Sequence, residues 1–302
     1  MRRVHDRLDA TAITLMLLLC ATWGLNQVAV KIANAGISPI LQAGLRSLGA
    51  ACLVWLWSAI RGVPLTRSDG TFAIGVVVGL MFGIEFALIY VGLEYTSASR
   101  SVVFLYTSPF VVAIGSHLYV PGERLRALQV VGLIAAFAGV GLAVADGLTL
   151  PSHHELIGDL MVLAAGIIWG ATTVVVKASR LIAISPNKTL LYQLAVSGVF
   201  LVPLSLLMAE PGVFAATAPV LGSLAFQTIL VAFVTYLAWF WLITSYPAGR
   251  LAVFSFLTPL IGMAAGALIL GERITVMLAF AAALVALGIY LVNRPPPPAA
   301  SA

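Results

Sequence analysis

The sequence predicts an all-α integral membrane protein whose ten transmembrane helices form two inverted five-helix repeats. Three observations lead to this fold class: an apolar composition, a regular series of apolar runs, and two sequence patterns that each occur twice. Of the 302 residues, 61% are hydrophobic and 9% are charged. Such a composition excludes a soluble protein with an ordinary core and indicates a chain that crosses the membrane several times.

Each apolar run is close to the twenty residues that a helix needs to cross a bilayer, and each is bounded by charges, Gly or Pro. The runs are 11–33, 38–60, 71–93, 98–120, 126–145, 157–178, 186–208, 219–245, 248–270 and 274–292. The connections between them are short. A tail with four consecutive prolines, Pro295 to Pro298, follows the last run and cannot continue its helix.

The net charge is +5, but the Lys and Arg residues stand singly at the ends of the runs and form no basic patch. This pattern favours membrane orientation over nucleic-acid binding. When the N-terminus is placed in the cytoplasm, most cations lie at inner helix ends. The positive-inside rule therefore predicts that both termini are cytoplasmic.

The first repeated pattern covers the fourth and ninth runs. Arg100 to Arg124 and Arg250 to Arg273 both lead from Arg through Val-Phe to a proline and end in Gly-Glu-Arg. The prolines, Pro109 and Pro259, stand at the same spacing from the arginine. A proline removes one helical hydrogen bond and frees a carbonyl, so we expect two matched broken helices, with Pro109 and Pro259 as hinges.

The second pattern relates the first and sixth runs, where Trp23-Gly24 and Lys31 match Trp169-Gly170 and Lys177. The repeating unit therefore has five helices, an odd number, and its two copies must enter the membrane from opposite sides. In such an architecture a substrate site is expected near the midplane, between the halves. The predicted division is an N-terminal cytoplasmic segment 1–10, a first repeat 11–146, a periplasmic linker 147–156, a second repeat 157–293 and a disordered cytoplasmic tail 294–302.

The duplicated unit, the Trp-Gly…Lys pattern and the Pro…Gly-Glu-Arg ends resemble the drug/metabolite transporter superfamily, in its ten-helix EamA-like branch. The resemblance covers about Thr11 to Asn293. On Glu85, Tyr106 and the Trp pair, the chain looks most like the YddG-type amino-acid exporters. The resemblance implies an alternating-access exporter of aromatic or neutral amino acids, or of similar metabolites, in a bacterial inner membrane. It implies no cofactor, and the expected partners are a small-molecule substrate and the lipid bilayer, with the chain a monomer or a homodimer.

Arg46 and Glu85 are charges within apolar runs, where a charge costs roughly 3 kcal/mol even on a lenient scale. Both lie about 12 Å below the outer surface. They are predicted either to form a structural ion pair or to bind substrate. Their counterparts in the second repeat, Gln193 and Thr235, are neutral. The outer half of the pathway is therefore expected to recognise an ammonium or a carboxylate group.

Aromatic residues near mid-span form a second set of candidates. They are Trp23, Tyr90, Tyr106, Trp169, Tyr236, Trp239 and Phe256. Tyr106 shares a helix face with Pro109, and Trp23 and Trp169 precede glycines that allow close helix approach. We expect Trp23, Tyr106 and Trp169 to line the cavity, with Trp239 contributing, whereas Tyr90 is either a cavity residue or an anchor at the interface.

Two other functions compete with this prediction. A proton-coupled drug or cation antiporter would use Glu85 as the proton carrier. An intramembrane enzyme is disfavoured, because the chain lacks the His-Glu-x-x-His and Gly-x-Ser-x-Gly motifs. His153, His154 and Glu155 are too close in sequence to give tetrahedral geometry, so no metal site is expected.

Overall fold

A computed structural model describes residues 8–96, 98–145, 150–270 and 276–294. In these ranges the regular elements are helices, joined by one isolated antiparallel bridge between Ile37 and Val213. Eight helical segments are long and apolar enough to cross a membrane, and two shorter apolar helices, Ala127–Ala143 and Ala279–Asn293, accompany them. The chain is a multi-pass membrane protein.

The α-helices, in chain order, are α1 (Ala10–Asn34), α2 (Pro39–Ile60), α3 (Phe72–Tyr95), α4 (Ala98–Leu105), α5 (Ser108–Tyr119), α6 (Ala127–Ala143), α7 (His153–Ala178), α8 (Pro186–Leu207), α9 (Ala218–Phe226), α10 (Tyr236–Ser245), α11 (Ala248–Ala252), α12 (Leu257–Leu270) and α13 (Val276–Asn293). Two short 3-10 helices, Arg180–Ala183 and Val253–Phe256, and a π-helix, Gln227–Thr235, lie between them.

Helices α2 and α8 start alike and pack against each other along their length. Each begins with Ser-Pro, at Ser38-Pro39 and Ser185-Pro186. Proline suits the first helical position because its missing N–H would have no helical partner there. Asn187 Nδ2, at the start of α8, donates to Ser58 Oγ, near the end of α2, at 2.8 Å. The two helices are therefore antiparallel.

The other end of this pair is fixed by a strap between the start of α2 and the α8–α9 connection. The Glu210 carboxylate accepts from Ile40 N at 3.1 Å and from Leu41 N at 3.0 Å. Ser38 Oγ donates to Gly212 O and accepts from Gly212 N, both at 2.8 Å. Together with the Ile37–Val213 bridge, these bonds satisfy backbone groups that would otherwise be free at the helix start.

Three of the predicted runs are not single α-helices. The run 98–120 is divided into α4 and α5, and 248–270 into α11, a 3-10 turn and α12. The predicted interruption of both proline-bearing runs is therefore confirmed. The run 219–245 contains the π-helix between α9 and α10, which the apolar pattern did not predict. The second Gly-Glu-Arg triplet, at 271–273, lies outside the described residues. The same is true of the stretches 1–7, 146–149 and 295–302.

Candidate functional site

The two broken helices meet equivalent partners. Pro109 has no N–H and cannot donate to the carbonyl of Leu105. Gly166 of α7 lies directly against this carbonyl, since a Cβ at Gly166 would be 2.7 Å from Leu105 O. At the second break, Cys20 Sγ of α1 donates to Phe254 O at 3.2 Å. The carbonyls near each proline are thus covered by protein, by α7 in one case and by α1 in the other.

The glycines of the Trp-Gly pairs lie beside the same breaks. A Cβ at Gly24 would be 3.0 Å from Thr258 O, the residue before Pro259. A Cβ at Gly170 would be 2.8 Å from Ser108 O, the residue before Pro109. Contacts of this length leave no room for a side chain, so glycine permits the close approach of the helices.

Arg46 and Glu85 are both buried, with 1% and 4% of their surfaces exposed. The Arg46 guanidinium lies over the Phe86 ring, with Cζ 4.3 Å from the ring centre. The Phe86 ring, next to Glu85 in the chain, also contacts the Tyr90 ring at 6.2 Å, and the neighbouring Phe82 ring contacts Tyr236 at 5.9 Å between centroids. Helices α2, α3 and α10 therefore bring one cation, one carboxyl group and several aromatic rings into one region.

The ion pair considered for Arg46 and Glu85 is not formed. Among the described residues, the two side chains have no nitrogen–oxygen distance within 4 Å, and Nε and Nη2 of Arg46 and Oε2 of Glu85 have no hydrogen-bond partner. Buried polar atoms without partners are uncommon, because leaving them unsatisfied costs about 1–3 kcal/mol each. The stacked Phe86 ring supplies Arg46 with a cation–π contact and leaves two donor atoms free.

Trp23 and Trp239 join this region through ring contacts. The Trp23 ring lies edge-on to Trp239 at 6.0 Å and to Tyr236 at 6.4 Å between centroids. Trp23 Nε1 donates to Thr235 Oγ1 at 2.8 Å, where the π-helix ends. We call the set Trp23, Arg46, Glu85, Phe86, Tyr90, Tyr236 and Trp239 the polar–aromatic cluster.

A buried pair of glutamine side chains lies next to this cluster and is not predicted from the sequence. Gln42 Nε2 donates to Gln227 Oε1 at 3.0 Å, and both residues are fully buried. Gln42 precedes Arg46 by one helical turn, so that spacing was an available signal. Phe86 was also missed, since a phenylalanine in an apolar run has no distinguishing feature.

Tyr106 and Trp169 form a second group. Their rings meet edge-on at 6.0 Å, and Tyr106 also contacts Phe256 of the second break at 6.3 Å. Tyr106 is 4% exposed. The structure therefore divides the predicted aromatic residues: Trp23, Tyr90 and Trp239 belong to the polar–aromatic cluster, whereas Tyr106 and Trp169 pack where the two broken helices approach each other.

The repeated motifs also meet at one end of the bundle. Lys177, from the Trp-Gly…Lys pattern, forms an ion pair with Glu123, from the first Gly-Glu-Arg triplet, at 2.7 Å and donates to Tyr246 O. The Glu123 oxygens also accept from Ala248 N at 3.1 and 3.0 Å. This network connects α7, the end of α5 and the α10–α11 junction.

Comparison with known proteins agrees with this architecture. The profile of the EamA-like transporter family matches residues 10–145 and again residues 156–294. A solved structure superposes with a TM-score of 0.81 over 95% of this chain and 97% of that chain, at 19% sequence identity. The similarity to that structure shows a common fold.

The sequence relatives are named as transporters. An uncharacterized transporter, YvbV, of Bacillus subtilis is 31% identical over 92% of this chain and 90% of its own length. A probable amino-acid metabolite efflux pump of Salmonella typhimurium is 27% identical over 92% of this chain and 93% of its own length, and one of Escherichia coli has the same identity and coverage. These names point away from the intramembrane enzyme. The chain belongs to the EamA-like transporter family, within the drug/metabolite transporter superfamily.

Proposed function

We propose that this transporter carries aromatic and other neutral amino acids across the membrane, with Arg46 binding the carboxylate and Glu85 the ammonium group. The observation that carries the proposal is the set of buried, unpartnered atoms: two guanidinium nitrogens on Arg46 and one carboxyl oxygen on Glu85. A zwitterion offers an acceptor for the first and a donor for the second. Charge-assisted hydrogen bonds of this kind are the stronger class.

The rings around these two residues suit an apolar or aromatic substrate side chain. Trp23, Tyr90, Trp239 and Phe86 are only partly buried, so part of each ring remains available for contact. Ring–ring contacts favour edge-on or offset arrangements and contribute about 0.5–1.5 kcal/mol beyond the buried area. Two relatives are named as probable amino-acid metabolite efflux pumps, which supports export as the direction of transport.

For the mechanism, we propose alternating access by two inverted five-helix repeats. Support comes from matched contacts: α1 lies against the break at Pro259 as α7 lies against the break at Pro109. Likewise α2 pairs with its counterpart α8, and α6 with α13. Pro109 and Pro259 would act as hinges. Tyr106 and Trp169, packed between the breaks, would line the part of the pathway that the hinges open.

The proposed orientation, with cytoplasmic termini, is supported by the distribution of cations. The proposed bacterial inner-membrane location is supported by the family and by its bacterial relatives. In that orientation the Lys177–Glu123 network closes the cytoplasmic end. The division into repeats 11–146 and 157–293 and the ten-helix count remain predictions that agree with the two matches to the family profile.

A counterflow experiment tests the assignment of Arg46. Proteoliposomes are loaded with unlabelled phenylalanine, and uptake of radiolabelled phenylalanine is measured against phenethylamine, which lacks the carboxylate, and 3-phenylpropionate, which lacks the ammonium group. We expect both analogues to inhibit the uptake of phenylalanine by the wild-type protein only weakly. Arg46→Gln should weaken phenylalanine binding by roughly 10- to 100-fold, since it removes a hydrogen bond to a charged group.

The matched control is Arg61→Gln, which removes an arginine that also lies over an aromatic ring, 4.8 Å from the Trp57 centroid, at the far end of α2. This variant should transport phenylalanine as wild type does. Arg46→Lys keeps the charge and should recover part of the binding. An unchanged half-saturation concentration in a folded Arg46→Gln protein would contradict the proposal.

A second candidate, proton-coupled antiport of a cationic drug, is favoured by the same Glu85. A buried carboxyl group with an unpartnered oxygen, outside any ion pair with Arg46, is suited to taking up and releasing a proton. Amino-acid transport and proton-coupled antiport differ in how the flux of substrate depends on the pH of the medium.

A further inference from the structure

At the end of the bundle that carries the Lys177–Glu123 network, the structure contains a cavity of about 370 Å³. It lies between the end of α5, the start of α6, the start of α11 and the end of α13. A volume above about 300 Å³ falls in the range of small-molecule sites. The polar side chains that line it and matter here are Ser116, His117, Glu123, Arg124, Arg126 and Arg250.

Cations predominate in the lining of this cavity. Among the residues that the structure describes, the lining includes Arg124, Arg126 and Arg250, and its one carboxylate is that of Glu123. The Glu123 oxygens are already bound by Lys177 Nζ at 2.7 Å and by Ala248 N. Arg124 and Arg126 form no ion pair with any residue that the structure describes. An anion in the cavity would therefore meet cations without displacing an existing partner from these two arginines.

Ser116 gives an independent indication of a ligand. Its side chain lines the cavity and is 2% exposed, and its Oγ has no hydrogen-bond partner among the described residues. A buried hydroxyl without a partner carries an unfavourable desolvation cost. A ligand oxygen in the cavity would accept this hydrogen bond, as phosphate oxygens do.

We propose that this cavity binds a phosphate-bearing anion, with Arg124 and Arg126 balancing its charge and the Ser116 hydroxyl donating to one of its oxygens. The cavity lies where α5 ends, at Tyr119, and where α6 begins, at Ala127. In the proposed topology these helix ends would lie at the level of the lipid headgroups. Basic pockets between helices at this level recognise anionic headgroups. The two sources of such a group are an anionic phospholipid and free phosphate in solution.

The test uses the full-length purified protein and two probes. In one arm, nanodiscs of phosphatidylcholine receive increasing phosphatidylglycerol, and bound lipid is counted by native mass spectrometry together with the thermal unfolding midpoint. In the other arm, the protein in detergent is titrated with inorganic phosphate. Arg124→Gln combined with Arg126→Gln should weaken binding about 25-fold, since each cation contributes roughly fivefold near an anionic surface. Ser116→Ala should also weaken it.

The matched control is Arg61→Gln combined with Arg67→Gln, which removes the same charge from the α2–α3 connection, outside the cavity. Binding should be unchanged in this variant. The double change of Arg124 and Arg126 to Lys should retain most of the binding, which would show that the site still folds. Phosphatidylglycerol binding with this pattern assigns the site to a lipid headgroup, and phosphate binding with the same pattern assigns it to a soluble anion. Binding of neither probe, or equal loss in the control variant, would overturn the proposal.

Discussion

At the scale of single residues, the proposed substrate recognition depends on Arg46 and Glu85. Both are almost completely buried, and neither is neutralised by the other within 4 Å. An ionisable side chain inside a membrane is costly and is by default a candidate to bind a ligand or to carry a proton. The chemistry at Glu85 therefore distinguishes a zwitterion site from a proton carrier.

Glu85→Gln provides that distinction. If Glu85 binds the substrate ammonium, the variant should bind phenylalanine roughly tenfold or more weakly at every pH, because a charge-assisted bond becomes a neutral one. The response of flux to pH should stay as in wild type. Counterflow in proteoliposomes measured from pH 5.5 to 8.5 checks this expectation. Flux that no longer responds to pH, with phenylalanine affinity intact, would instead favour proton coupling.

The sequence could indicate Arg46 and Glu85 because an ionised side chain in an apolar run is conspicuous. It could not indicate Phe86 or Gln227. An aromatic residue gains a role only from the cation stacked on it, and that contact depends on how α2 and α3 face each other. The Gln42–Gln227 bond likewise joins residues 185 positions apart, across two helices whose rotation only the tertiary structure sets.

At the scale of secondary-structure elements, the two broken helices are the feature that the sequence predicts best. A proline always removes a donor, so the interruption near Pro109 and Pro259 follows from covalent chemistry. The π-helix Gln227–Thr235 was not predictable, because a change of hydrogen-bond register leaves no mark on the apolar pattern. That segment nevertheless supplies Thr235 to Trp23 and Gln227 to Gln42.

Replacing Pro109 or Pro259 by alanine restores the backbone N–H that a continuous α-helix needs. We expect Pro109→Ala and Pro259→Ala to slow phenylalanine counterflow by about tenfold, because conformational steps limit the rate of many carriers and enzymes. The half-saturation concentration should change less than about threefold, because neither proline belongs to the polar–aromatic cluster that is proposed to bind the substrate. Rates and concentrations are both obtained from initial uptake.

Pro203 provides the control for these two substitutions. It lies inside α8, away from either break, and the same replacement there should leave the rate near that of wild type. Wild-type flux in both hinge variants would show that the breaks do not move during transport.

At the scale of the whole molecule, the proposed mechanism depends on the membrane topology, that is, on the side of the membrane where each connection lies. In the proposed topology, five membrane crossings between the N-terminus and Ala145, and five more before Arg294, would place these two positions on opposite sides. We expect an epitope tag after Ala145 to be accessible from outside intact spheroplasts and a tag after Arg294 only after permeabilisation. A tag at the N-terminus should behave as the tag after Arg294. Equal accessibility of the tags after Ala145 and Arg294 would refute the inverted arrangement.

The overall architecture was predictable to a greater extent than the site. Run length, charge placement and repeated motifs are one-dimensional properties, and they indicated the helical membrane fold and the family. The sequence does not indicate that the two repeated motifs meet, although Lys177 belongs to one of them and Glu123 to the other. Their meeting depends on the end of α5 approaching the end of α7, which spacing along the chain does not reveal.

The strap at the start of α2 has a mechanical consequence. Hydrogen bonds join the start of α2, in the first half of the chain, to Glu210 and Gly212 in the second half. These residues are far along the sequence from Pro109 and Pro259. If the proposed alternating access operates, we expect these bonds to keep α2 and α8 together as one rigid unit, so that the remaining helices move relative to this pair.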